Sequence, residues 1–165
     1  MLRLEESQRK FFSHLDKLGI SIQTQTHPPV FTVEEAKKYC EHLPGMHLKN
    51  LFLKDKKDQL WLVVAENDKL IDLKRLRKKI GSGHLSFGKP EILAKTLGVI
   101  PGSVTPFGLI NDSSLSVRII IDSDVIKNPL LNFHPLTNTA TSSITPKDLI
   151  AFIESCGHKP EIITI

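Results

Sequence analysis

Lys49 interrupts an apolar run. It lies in Gly45–Lys54 (GMHLKNLFLK) with Asn50 beside it. In a strand, side chains alternate in face, so Lys49 shares one face with Leu51 and Leu53, and Asn50 shares the other with Phe52. An ammonium on a leucine face either snorkels out at the strand end or meets a partner. His134 is the second candidate, in Leu131–Thr141 (LNFHPLTNTAT). Pro135 biases it toward extended backbone, and Asn138, Thr139 and Thr141 supply donors and acceptors nearby. An imidazole titrates near neutral pH and can take a proton from water or from a ribose hydroxyl. The alternative for a lone histidine is a packed or surface residue. The third candidate is Gly98–Asp112 (GVIPGSVTPFGLIND). Pro101 and Pro106 stiffen it, and Gly102 and Gly108 leave bare backbone that another molecule can approach. Backbone N–H groups at Gly102 and Ser103 are placed to meet a carbonyl or a developing oxyanion. The competing reading is a rigid corner beside a sheet.

Other chemistries lack their residues. There is no HExxH, no CxxC pair and no dense Asp/His cluster, and the spacing of His27, His42 and His47 fits no standard zinc pattern. No metal and no cofactor are expected. Neither GxGxxG nor GxxxxGK[ST] occurs. Ser82 sits between Gly81 and Gly83, but the full GxSxG of a nucleophile elbow is absent. Cys40 falls in a helical stretch without an activating base.

The elements that must position these groups follow from spacing. Phe11, Phe12, Leu15 and Leu18 mark an N-terminal helix within residues 1–19, closed by Gly19. Ile20–Gln25 alternates as a strand. Thr32 and Glu35 form a capping box for a helix reaching Tyr39–His42. Lys49–Leu53 and Leu60–Ala65 are strands joined by a charged turn, the second apolar enough to be buried on both faces. Asp72 caps a helix that ends at Gly81. Leu85–Phe87 is a short strand, and Pro90 and Gly98 bracket another helix. Leu115–Asp122 and Leu130–Phe133 are strands, Thr145-Pro146 starts the last helix, and Glu161–Ile165 is an edge strand. Helices and strands mix without a βαβ period, which predicts an α+β fold with a mixed sheet.

With 165 residues, the chain is expected to form one domain over 1–165. The two cysteines read as buried thiols of a reducing compartment, so a cytoplasmic location is expected, with no signal peptide and no membrane span. The formal charge of +4 permits nucleic-acid contact. The densest basic run, Lys74–Lys79, reads either as the solvated face of a short helix or as a contact to a nucleic-acid backbone.

These three segments, together with His27–Ala36 (HPPVFTVEEA), resemble the prolyl-tRNA synthetase-associated editing-domain family, also called YbaK-like, and in particular its free-standing branch that removes alanine from mischarged proline tRNA. The resemblance runs from about Ile20 to the C-terminus. It implies a curved, mixed and mostly antiparallel sheet flanked by helices. Lys49 matches the lysine on which such domains depend, and Asn50 its companion. A histidine in the segment of His134 lines the family's editing pocket, and that segment also contributes Asn138. The matching loop shapes the aminoacyl pocket and holds the terminal adenosine, which implies substrate binding by Gly102, Ser103, Thr105 and Pro106.

The activity implied is hydrolysis of the ester between alanine and the 3′ end of proline tRNA, acting in trans. Its partners are the acceptor end of the aminoacylated tRNA and, as an open alternative, prolyl-tRNA synthetase. No synthetase catalytic core is expected in this length. Two other readings stay open: a deacylase for cysteinyl- or another small-residue proline tRNA, and a non-catalytic tRNA- or synthetase-binding module.

Overall fold

The computed structural model describes residues 4–165. In chain order the elements are α1 (Leu4–Leu18), β1 (Gln23–Thr26), α2 (Val33–Cys40), β2 (Met46–Lys54), β3 (Leu60–Glu66), α3 (Leu73–Ile80), β4 (Ser86–Phe87), α4 (Pro90–Leu97), β5 (Val117–Asp122), α5 (Ser123–Ile126), β6 (Leu131–Phe133), β7 (Ala140–Ile144), α6 (Pro146–Ser155) and β8 (Glu161–Ile163). The helix expected over residues 1–19 is α1, and residues 1–3 lie outside the described residues.

Local signals set most boundaries. The Thr32 hydroxyl accepts from the Glu35 N–H (3.1 Å). Glu35 reaches back to the N–H of Phe31 rather than Thr32 (3.2 Å), one residue beyond a standard capping box. Asp72 caps α3, and Gly81 and Gly98 close α3 and α4 in left-handed conformations. The Thr145 hydroxyl accepts from the Asp148 N–H (3.2 Å) at the start of α6.

The strands form one mixed sheet in the order β1-β7-β6-β2-β3-β5-β8, with β4 also pairing β2. The β1–β7, β6–β7, β2–β3 and β2–β4 pairs are antiparallel. The β2–β6, β3–β5 and β5–β8 pairs are parallel. Alternation along the central strands feeds two apolar layers. Phe52, Leu62, Val64, Ile119 and Ile121 join the larger one, where Phe11 of α1 and Phe152 of α6 also pack. Leu53, Trp61, Val63 and Ile120 face the other side, under Leu76 and Ile80 of α3. Every residue from Leu60 to Ala65 is buried, as expected of a strand covered on both faces.

Besides the unexpected short helix α5, three segments differ most from the sequence expectation. The first strand begins at Gln23, not Ile20, because Ile20 turns into the larger layer. Ala140–Ile144, to which the sequence assigned no element, is strand β7, with its backbone paired to β1 on one side and β6 on the other. The loop residues 106–111 form a turn of 3-10 helix packed on α4. Gly108 is required there for an internal reason: a Cβ would stand 2.8 Å from the Leu97 carbonyl oxygen.

Candidate active site

The cavity follows from incomplete pairing of β2. One edge of this strand is paired with β3 from Leu48 to Lys54. The other edge meets β6 only at Met46 and His47, and β4 only at Leu53 and Lys54. Between these two partial neighbours the edge is uncovered, and Leu48, Lys49 and Asn50 line a cavity of about 660 Å³. Its other walls are α2, the turn after β3, the glycine/proline loop and the ends of β6 and β7. An exposed ion pair, Lys37 to Asp68 (3.8 Å), joins α2 to that turn.

The Lys49 ammonium donates to the Lys69 carbonyl oxygen. Lys69 is itself held by the fully buried Asp122 carboxylate (2.6 Å), so the accepting carbonyl has a fixed base. Asn50 Oδ1 is buried without a hydrogen-bond partner. A buried unpaired acceptor is costly, and its presence beside a cavity points to a donor supplied from outside.

His134 sits immediately after β6. Its Nδ1 donates to the Ala140 carbonyl oxygen (3.1 Å), which leaves Nε2 as the acceptor of the neutral ring. Burial, reinforced by neighbouring His27, holds its pKa below the ordinary histidine value, while the Ala140 bond opposes that shift in part. The two rings are 6.4 Å apart, edge to face. His27 Nε2 also meets the Thr141 hydroxyl (2.9 Å), which lies 3.3 Å from Cys40 Sγ.

Four of the expected site residues, Lys49, Asn50, His134 and Gly102, border this cavity. The other four do not. The Ser103 N–H is already bonded to the Ile100 carbonyl oxygen (3.0 Å) and its side chain is buried, so it offers no backbone donor to a ligand. Thr105 caps the 3-10 turn through the Phe107 N–H (3.3 Å), and Pro106 starts that turn; both are buried. Asn138 donates to the Val30 carbonyl oxygen (3.1 Å) and accepts from the Val30 N–H (3.2 Å), tying together two walls of the site. The Thr105 and Asn138 bonds are made within the chain, while the Ser103 hydroxyl is buried without a partner.

Sequence reasoning missed His47 and Asn132 as site residues and named Thr141 only as a donor and acceptor near His134; all three line the cavity. His47 Nε2 is buried without a partner, and burial lowers its pKa against the opposing effects of the Leu43 carbonyl and Glu41. Asn132 donates to the Pro44 carbonyl oxygen (2.9 Å) and accepts from the Ser143 hydroxyl (2.6 Å). Its signal was available: like Lys49, it is a lone polar residue in an apolar strand. Among the described residues no cluster of His, Cys, Asp and Glu could hold a metal, and no helix is long and apolar enough to cross a membrane.

Comparison with known proteins bears on this geometry. The model of the aminoacyl-tRNA editing domain matches residues 27–152. A Mus musculus protein named prolyl-tRNA synthetase associated domain-containing protein 1 is 39% identical, covering 98% of this chain and 95% of the relative. The prolyl-tRNA editing protein ProX of Acetoanaerobium sticklandii is 36% identical, covering 93% and 94%. Among solved structures, a proposed trans-editing enzyme for prolyl tRNA synthetase superposes with a TM-score of 0.73 at 22% identity, over 96% of this chain and 97% of the other. At that identity the likeness speaks to the fold.

Proposed function

The chain belongs to the aminoacyl-tRNA editing domain family, and on that premise we propose that it hydrolyses the ester of mischarged proline tRNA in trans, with alanine as the preferred residue. The observation that carries the reading is the meeting of Lys49, His134 and Gly102 around one cavity. The prolyl-tRNA editing relative supports the choice of tRNA.

An aminoacyl ester is already activated, so no covalent nucleophile is needed. Water adds to the ester carbonyl carbon, and the bond to the ribose 3′ oxygen breaks. The proton lost by water reaches the leaving oxygen through His134 Nε2 or the vicinal 2′-hydroxyl, releasing amino acid and tRNA. Lys49 anchors the terminal nucleotide or the ester and offsets its negative charge. The unpaired Asn50 Oδ1 orients the substrate by accepting from one of its donors. The Gly102 N–H faces the carbonyl in place of the pair expected at Gly102 and Ser103. We place this reaction in the cytoplasm, consistent with two free thiols, Cys40 and Cys156. Proline tRNA is recognised at its acceptor end or with help from the synthetase.

The need for such an enzyme is physical. A pocket built for proline gains only about 1–3 kcal/mol against a smaller apolar residue. A second site then removes what fits. The test is amino-acid release from proline tRNA charged with alanine, cysteine, serine or proline. Release of alanine with proline spared is the expected result. Preferred release of cysteine or serine would reassign the substrate, and no release from any of them would overturn the deacylase.

A further inference from the structure

Helix α3 carries five cations, Lys74, Arg75, Arg77, Lys78 and Lys79, and no carboxylate. The whole chain nets +4, so everything outside this one helix nets −1. Only Leu76 and Ile80 of the helix are buried; Lys74, Arg75, Lys78 and Lys79 are exposed and Arg77 is half-buried. The ion pairs among the described residues use Lys37, Lys54, Lys69, Arg118, Lys127 and His158, and none comes from α3. Lys79 donates to the Thr164 carbonyl oxygen (2.6 Å).

The fold itself does not call for this arrangement. Like charges three and four residues apart on a helix repel, as Lys74 and Lys78 or Arg75 and Lys79 do here. The helix dipole favours cations in the last turn, which accounts for Arg77, Lys78 and Lys79. It disfavours Lys74 and Arg75, which stand in the first turn. A solvated helix would be more stable with glutamates there. A polyanion lying along the helix removes both penalties at once.

The position of α3 says which polyanion. Leu76 and Ile80 pack with Leu53 on one side of the sheet, the side to which alternation also directs Leu51 and Lys49. The Lys49 ammonium bonds to the Lys69 carbonyl, and Asp72 caps α3 only three residues later. Three residues of extended chain reach about 11 Å at most, and eight helical residues add about 12 Å. The basic helix therefore starts within about 11 Å of the residue whose carbonyl holds the ammonium, close enough for one nucleic-acid end to reach both. We infer that the solvent face of α3 is the docking surface for the acceptor-stem phosphates of the tRNA whose aminoacyl end enters the cavity. The substrate named here rests on the deacylase reading.

The experiment measures binding of uncharged proline tRNA across salt, by fluorescence anisotropy, for the full chain and for the triple variant Lys74→Gln, Arg75→Gln, Lys78→Gln. Each lost phosphate contact reduces the slope of log affinity against log salt by about 0.7–0.9. The triple variant is expected to lose about 2 units of slope and at least about tenfold in affinity near 50 mM salt. KM for mischarged tRNA rises in parallel with kcat unchanged, and hydrolysis of alanyl-adenosine stays at the parental rate. A Lys74→Arg, Lys78→Arg variant keeps the parental slope, which separates charge from packing. An unchanged slope and affinity in the glutamine variant would overturn the proposal. So would a loss of binding seen with a prolyl-tRNA synthetase but not with tRNA. Because the binding arm uses uncharged tRNA, absence of hydrolysis in the parent protein would remove the deacylase reading without deciding the docking surface.

Discussion

Replacing Lys49 with alanine should separate chemistry from stability. Lys49 is half-buried in the middle of β2, opposite Ala65. Its one hydrogen bond runs to the Lys69 carbonyl oxygen. A hydrogen bond to a charged group contributes about 1.5–3 kcal/mol. Two effects reduce the net cost: the carbonyl borders a cavity that water can enter, and the variant no longer desolvates an ammonium. A net loss of about 1–2 kcal/mol is expected, and at about 2–4 °C per kcal/mol for a chain of this size the melting temperature falls by about 2–8 °C. Activity should fall much further. Removing one preorganised donor from a reacting oxygen costs about 10²–10³ in kcat. Lys49→Arg keeps the charge but replaces a compact ammonium with a planar fork, and is expected to restore little of the rate. The assay is single-turnover release of labelled alanine from mischarged proline tRNA, with a thermal melt on the same samples. An alanine variant that melts normally and deacylates within about threefold of the parent, against the expected loss of about 10²–10³, would refute the role given to Lys49.

Four further outcomes are expected. Because burial and His27 hold the His134 pKa low, its acceptor nitrogen stays free below the pH at which an ordinary histidine protonates. Deacylation, corrected for spontaneous hydrolysis, should therefore hold through about pH 6.5 and decline only in more acidic buffer; an inflection above that value would contradict the assignment. Stability follows the same sign: the unfolded chain binds these protons first at His134 and His47, so stability rises with pH up to about 6.5 and is lost as pH falls through the lower folded values. The buried Asp112 carboxylate accepts from the Ser116 N–H, the Ser116 hydroxyl, the Val117 N–H and His158 Nε2. Asp112→Ala leaves those groups unmatched and should cost about 3–5 kcal/mol, seen as a melting point lower by about 6–20 °C; a drop of only a degree or two would show that water replaces the carboxylate. At Gly45, with φ +99°, an added Cβ would stand 2.7 Å from the Leu130 carbonyl oxygen. Gly45→Ala should therefore shift the β2–β6 junction, lowering stability by at least about 1–2 kcal/mol and reducing kcat/KM in the deacylation assay; parental values for both would disprove the fit.

The local code of this chain is legible because its signals are short-range. Thr32, Asp72, Pro90 and Gly98, and Thr145 with Pro146, each act on backbone groups within a turn of themselves. Strand alternation likewise fixed in advance that Lys49 and Leu51 share a face. No rule of that kind reports which strands become neighbours. The parallel contact of Met46 with Leu131 and of His47 with Asn132 joins segments more than eighty residues apart. That contact brings Asn132 and His134 to the wall already occupied by Lys49. β7 escaped notice because its five residues, ATSSI, carry no apolar alternation, and only pairing with β1 and β6 makes them a strand. The Ser103 N–H shows the converse: its residue type permitted a ligand contact, and a turn back to Ile100 removed it. Residue types and spacing determined which groups can do chemistry here; pairing between distant strands, decided by burial of the whole sheet, determined which of them meet.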